Sequence, residues 1–225
     1  MKDLITIGLP SKGRLKDKAI SFFNDRGFKI LQSEKERNYF GTIENKNNIK
    51  IIFLHAKEII QRLGDGTLDI GVSGLDLLKE SEKNLQVKIN VQRKLDFGNA
   101  NLVIAVPDDW IDVQTIADIE EVSFDIRSKR NTRLRVATKY PNLTNDFLIS
   151  KGVTQYKLIP SLGATETYPF IGSSEIITDI TSTGKTLADN NLRVLKDGLI
   201  LSSRACLFIA KKKAAILQPF LKSLG

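Results

Sequence analysis

The chain has 225 residues, 41% of them hydrophobic, and a formal net charge of +8. That is enough apolar material for one large domain or two smaller lobes. No run of about 18 apolar residues is present, which argues against a membrane-spanning helix; the single cysteine, Cys206, excludes an internal disulfide and suits a reducing cytoplasm.

The one histidine, His55, gives little support to a histidine-rich metal site or a Ser-His-Asp triad. It follows an apolar run and reads as a local hydrogen-bonding residue. Cys206 lies in an apolar run and reads as a small buried hydrophobe. A basic chain suits nucleic acid, polyanionic small substrates, or simply a solvated surface. Only Lys211-Lys212-Lys213 and residues 127–135 look clustered. Neither carries a nucleic-acid motif, so no nucleic-acid partner is expected. Lys2 and Asp3 precede only a short apolar run, which does not read as a signal peptide.

Residues 4–9 predict a buried strand. Pro10-Ser11-Lys12-Gly13-Arg14-Leu15 is a turn into a helix, with Leu15, Ala19, Phe22 and Phe23 at helical spacing and Gly27 as its stop. Lys12 and Arg14 flank a glycine there, which suits phosphates but also suits a solvated basic turn. A strand at 28–31, a polar segment with Arg37, and a strand at 49–54 follow. Glu58, Ile59, Ile60 and Leu63 predict a short helix, ended by Gly64-Asp65-Gly66. Residues 68–78 read as a strand with acids and glycines at its mouth, then a helix. Gly71 and Gly74 let a ligand approach the backbone, or serve tight packing alone.

Strands are predicted at 87–94 and 102–106, with residues 96–101 crossing into a second lobe. Trp110 reads as a packing residue at a lobe edge. Short elements at 116–119 and 122–126 lead into a polar loop over 127–133. A strand at 135–138 precedes a helix opened by Pro141 and stopped by Gly152. A strand at 156–159, the turn Gly163-Ala164-Thr165-Glu166 and a Pro169-led segment follow. Later strands fall at 192–195, 199–201 and 207–210, and the last helix at 214–224. The alternation predicts an α/β protein with mostly parallel sheets.

The stretch around which the chain is organised is residues 176–187. An apolar strand carries Asp179 near its end, then turns through Thr181-Ser182-Thr183-Gly184 into Lys185, Thr186 and a helix. Unpaired amides, hydroxyls and the helix dipole there can form an anion pocket. Asp179 at its rim suits sugar hydroxyls. Ordinary helix capping fits the same residues equally well. A nucleotide P-loop does not fit, because Asp179 stands where that motif needs its first glycine.

Six ordered segments together resemble the ATP phosphoribosyltransferase family: residues 9–15, 69–76, 97–98, 135–140, 163–166 and 179–187. The likeness covers almost the whole chain and its length is that of the short form, which lacks a C-terminal regulatory domain. It implies a fold of two lobes with mostly parallel sheets, similar to type II periplasmic solute-binding proteins, with two crossings between lobes: lobe I is residues 1–95 plus 188–225, and lobe II is residues 96–187. It implies transfer of phosphoribosyl from 5-phosphoribosyl 1-pyrophosphate to N1 of ATP, with Mg²⁺ carried on the donor, as the first step of histidine biosynthesis.

By the same resemblance, Thr181, Ser182, Thr183, Gly184, Lys185 and Thr186 hold the ribose 5-phosphate. Asp179 faces the ribose hydroxyls and Glu166 lies close to the substrates. Lys12, Arg14 and Arg37 face phosphates and carry the catalytic charge neutralisation, and Asp69, Ser73 and Gly74 line the ATP site. A homodimer is implied, assembling with a regulatory subunit similar to histidyl-tRNA synthetase in the cytoplasm. The chain departs from the family after Phe97-Gly98, where Ala100 and Asn101 replace a common Cys and a basic residue. A non-catalytic two-lobed binding protein is the alternative of another class, and a nucleic-acid binder rests on charge alone.

Overall fold

A computed structural model describes residues 4–32 and 39–225; Arg37 lies outside them. The chain divides into two compact units, residues 1–98 with 204–225, and residues 99–203.

In the first unit, β1 (Ile5–Pro10) leads into α1 (Gly13–Asn24), then β2 (Ile30–Gln32), β3 (Phe40–Ile43), β4 (Lys46–Leu54) and α2 (Ala56–Asp65). After these come β5 (Ile70–Gly74), α3 (Leu75–Glu80), α4 (Lys83–Gln86) and β6 (Ile89–Lys94). The second unit holds β7 (Ala100–Pro107), α5 (Ile116–Arg130), β8 (Leu134–Thr138), α6 (Pro141–Ser150) and β9 (Tyr156–Pro160). It continues with β10 (Ile176–Thr181), α7 (Lys185–Asp189) and β11 (Leu192–Ser203). The chain then returns to the first unit as β12 (Ala205–Ala210) and α8 (Ala214–Ser223).

The first sheet has the order β2-β3-β4-β1-β5-β12-β6, with β4, β1 and β5 parallel. Ile7, Leu9, Ile70 and Val72 are completely buried, as expected of central strands covered on both faces. On one face α1 supplies Ala19, Phe22 and Phe23, and α8 supplies Leu217, Phe220 and Leu221. On the other, α2 supplies Ile59, Ile60 and Leu63. Gly71 belongs to this packing. A Cβ there would stand 2.5 Å from Ile59 Cγ2, so α2 lies too close to β5 for any side chain.

The second sheet has the order β11-β7-β10-β8-β9, with β10, β8 and β9 parallel. Ile104, Val106, Ile116, Ile119, Val136, Leu148 and Ile176 form its main core, and Trp110 packs against it. Arg135, in β8, holds Glu175 at 2.6 Å, and its amide donates to the same carboxylate. That pair pins β8 to the start of β10.

The two-sheet α/β class is the one expected. Both sheets are mixed: antiparallel strands join the parallel trios where the chain crosses units, β12 between β5 and β6 and β7 between β11 and β10, and β2 and β3 add antiparallel pairs beside β4.

Several elements differ from the sequence expectation. Residues 116–130 form one helix rather than two short elements and a loop. The Asp118 carboxylate accepts from the Thr115 amide and hydroxyl at its start, and no breaker intervenes before Asn131, at φ 50°. The hairpin strand β3 was hidden in a polar segment, and Asn45 at φ 60° makes its turn. β11 is one strand with register shifts between Val194 and Leu201. Because β11 pairs with β7, the return crossing falls at 203/204 rather than after 187.

Candidate active site

In an open α/β sheet ligands sit beyond the carboxyl ends of the parallel strands. In the second unit those ends are Thr138, Pro160 and Thr181. β10 runs through Asp179 to Thr181 and turns over Ser182 and Thr183 to Gly184, whose φ of 75° favours glycine. Thr181 Oγ1 accepts from the Gly184 amide at 2.8 Å, and Thr183 Oγ1 from the Lys185 amide at 3.3 Å. Ser182 Oγ donates to the Asn99 carbonyl at 3.1 Å. The N-cap of α7 is Gly184, which has no side chain to cap with, so these hydroxyls brace the turn ahead of the helix and hold the bend in one shape. Ser182, Thr183, Lys185 and Thr186 remain exposed along it.

Asp179 is half-buried. Its Oδ1 accepts from the Ile180 amide at 2.8 Å. Burial, the largest influence, raises its pKa; that amide and Lys139 oppose the rise, and Glu166 adds to it. Glu166 reaches this edge on a 3-10 turn, Thr165–Thr167, after β9. Asp179, Glu166 and the bend are thus brought together from separate elements. Lys139, the first residue after β8, joins them. Its signals in sequence were a basic residue directly after a predicted strand and its place in the family-like segment 135–140, to which no role was attached.

Asn101 opposes Thr181 in the β10–β7 pairing, so the departure at Ala100 and Asn101 lies beside the bend.

In the first unit the corresponding strand ends are Pro10, Leu54 and Gly74. Lys12 is the N-cap of α1 in extended backbone, Gly13 follows at φ 72°, and Arg14 stands in the first turn. Both cations are exposed. His55 caps α2, its Nδ1 accepting from the Lys57 amide at 3.3 Å, which is the local role expected for it.

The set Asp69, Ser73 and Gly74 is not one site. Asp69 precedes β5, at the opposite end of the strand from Gly74, roughly 16 Å away at about 3.3 Å per residue. Its Oδ2 accepts from the Thr6 amide at 2.8 Å and the Thr6 hydroxyl at 2.9 Å, and Lys213 lies 3.7 Å from Oδ1. It ties β5 to β1. Ser73 is completely buried and donates to the Ala56 carbonyl at 2.8 Å, joining β5 to α2. Of the three, only Gly74 sits at the edge that carries Lys12 and Arg14.

The family model for HisG, ATP phosphoribosyltransferase, matches residues 55–224. The chain belongs to the ATP phosphoribosyltransferase family. An ATP phosphoribosyltransferase of Chelativorans sp. is 46% identical over 210 residues, spanning 93% of this chain and 91% of that protein. One from Rhizobium etli is 44% identical over 221 residues, 98% and 96% respectively. Among solved structures, the chain from the "HisG:HisZ" complex of Thermotoga maritima superposes with a TM-score of 0.75 at 25% identity, covering 98% and 96%. A substrate-binding protein of an amino-acid ABC transporter shares the fold, at TM-score 0.54 and 13% identity over 98% and 91%. Phosphoribosyltransferase family membership and the periplasmic-binding-protein type of fold are both as the sequence implied. Among the described residues no helix is long and apolar enough to cross a membrane.

Proposed function

We propose that the chain transfers phosphoribosyl from 5-phosphoribosyl 1-pyrophosphate to N1 of ATP, releasing pyrophosphate, with the donor seated on the bend of the second unit. One observation carries the assignment of the site: Asp179 and Glu166 converge from different elements beside a hydroxyl-braced bend. The bend's amides and exposed hydroxyls suit a 5-phosphate. Asp179 and Glu166 suit ribose hydroxyls, since a carboxylate accepts strong charge-assisted bonds.

N1 attacks the anomeric carbon with its lone pair, the N1–C1′ bond forms, and the C1′–O bond breaks with its electrons leaving on pyrophosphate. Lys12 and Arg14, exposed at the strand ends of the first unit, are the cations proposed to neutralise phosphate charge, and Mg²⁺ enters as part of the donor. The edge at Gly74 is the proposed approach for ATP. N1 is already a nucleophile and pyrophosphate a good leaving group, so the mechanism requires no general base.

The likeness to a subunit of the HisG:HisZ complex supports an assembly of the same kind. In this reading a cytoplasmic homodimer associates with a regulatory subunit similar to histidyl-tRNA synthetase. A non-catalytic binding role is not favoured, because the relatives that match along nearly their whole length are named as transferases.

Pyrophosphate release dependent on both ATP and donor tests the reading. Arg14→Ala and Asp179→Ala should each abolish turnover while circular dichroism stays native. Full turnover in both variants would overturn the site.

A further inference from the structure

Three threonines from three elements meet at the bend-bearing edge of the second unit. Thr138 ends β8, Thr178 is its register partner in β10, and Thr144 lies on α6. All three are buried, at 2%, 0% and 0% exposure. Thr178 Oγ1 donates to Thr138 Oγ1 at 2.5 Å, Thr138 and Thr144 are 3.0 Å apart, and Thr144 and Thr178 2.8 Å. The Tyr140 amide also donates to Thr138 Oγ1, at 2.9 Å.

A hydroxyl has one proton and two acceptor sites. Thr138 accepts from Tyr140 and from Thr178, so its own proton goes to Thr144, and the proton of Thr144 goes to Thr178. The ring closes with every hydroxyl proton used. Valine has almost the same shape and suits a buried strand. Replacing all partners of such a set by apolar groups of equal shape can be nearly neutral for stability. What the hydroxyls add over valine is direction.

The residues of the ring are tied to the charged groups of the site, one through a ring hydroxyl and two through the backbone that the ring holds. The Tyr140 bond fixes the turn that carries Lys139. The Thr138 carbonyl accepts from the Ser161 amide at 2.9 Å. Ser161 Oγ in turn holds the Gly163 carbonyl and Thr165 Oγ1, each at 2.8 Å, which fixes the turn carrying Glu166. Thr178 directly precedes Asp179. We infer that Thr138, Thr144 and Thr178 are positioning residues that set Lys139, Glu166 and Asp179 relative to one another for the phosphoribosyl donor.

This inference rests on the donor reading above. Its test is steady-state pyrophosphate release with donor and ATP varied in turn. Thr138→Val should raise the KM for donor at least roughly tenfold, with the KM for ATP within about twofold, and Thr138→Ser should restore it to within about threefold. Thr144→Val, which leaves the Tyr140 amide bonded, gives the same readout should Thr138→Val not fold. The triple valine variant should fold and still show the raised donor KM. Serine as damaging as valine, a parallel rise in both KM values, or a wild-type donor KM in the folded triple variant would overturn the positioning role. Asp179→Ala is run alongside. If it too keeps wild-type turnover and donor KM, the donor reading fails as well; if it alone loses turnover, only the ring's role is lost.

Discussion

Replacing Asp179 with asparagine separates the acid's role in binding from its effect on the fold. In the wild type, Oδ1 is occupied by the Ile180 amide at 2.8 Å, which leaves Oδ2 for a ribose hydroxyl. Asparagine keeps an acceptor oxygen for Ile180 but places an NH₂ donor where Oδ2 stood. One charge-assisted bond to the donor is lost, worth about 1.5–3 kcal/mol. That corresponds to a fall of about 10- to 150-fold in kcat/KM for the donor. Stability should move the other way. Burial raises the folded pKa of Asp179 above its unfolded value. A carboxyl raised in this way favours the fold below its unfolded pKa, and that advantage is lost as pH rises through the folded pKa. At pH 8 the wild type therefore holds a charge that its site disfavours, and a neutral asparagine does not. The variant should melt at or above the wild-type temperature at pH 8, with the difference shrinking as pH falls into the carboxylate range. Initial rates against donor concentration, and melting curves at pH 8 and in the carboxylate range, measure the two effects. A kcat/KM within about threefold of wild type, or a variant several degrees less stable at pH 8, would refute this account of Asp179.

Other predictions test the packing and the corrected assignments. Gly71→Ala should cost about 1–3 kcal/mol by overpacking, since its Cβ would stand 2.5 Å from Ile59 Cγ2 and 3.0 Å from Leu63 Cδ1; an unchanged urea midpoint would contradict this. Asp69→Ala strips acceptors from the Thr6 amide and hydroxyl, so it should cost about 1–3 kcal/mol and leave the KM for ATP unchanged. A raised KM at full stability would return Asp69 to the ATP site. Histidine added to the purified chain alone should not inhibit turnover, and strong inhibition at micromolar concentration would show a regulatory site within this chain.

The strands and the bend were legible because their signals are local. The apolar run before Asp179 and the hydroxyl-glycine turn after it define a strand, a bend and a helix start without further context. The roles of Asp69 and Ser73 were not legible. Asp69 shares a motif with Gly74 but stands at the opposite end of β5, and only pairing shows which end faces Lys12 and Arg14; Ser73 stands beside Gly74, but its hydroxyl is buried against the Ala56 carbonyl of α2, a contact that sequence spacing does not show. The true length of β11 was equally hidden, because its kinked middle breaks the pattern while its pairing with β7 resumes beyond the break. Lys139 stood in the family-like segment 135–140 without a role, because its significance lies in proximity to Asp179, which is 40 positions away in sequence and brought near by the parallel pairing of β8 with β10.

Bracing of the turn by its own hydroxyls and phosphate binding by the bend need not compete. A helix as short as α7, five residues, adds little dipole of its own. Anion affinity must therefore come from individual donors held in the right directions. Thr181 and Thr183 spend their oxygens on the Gly184 and Lys185 amides, and Ser182 is fastened to Asn99. These bonds hold the turn in one conformation before any ligand arrives, so less ordering entropy is lost when the phosphate binds. On this view Thr181 acts through the shape of the backbone. Thr181→Val should then weaken donor binding even if the hydroxyl never touches the phosphate, and Thr181→Ser should restore it. Full donor affinity in a folded Thr181→Val variant would show that the bend needs no such bracing.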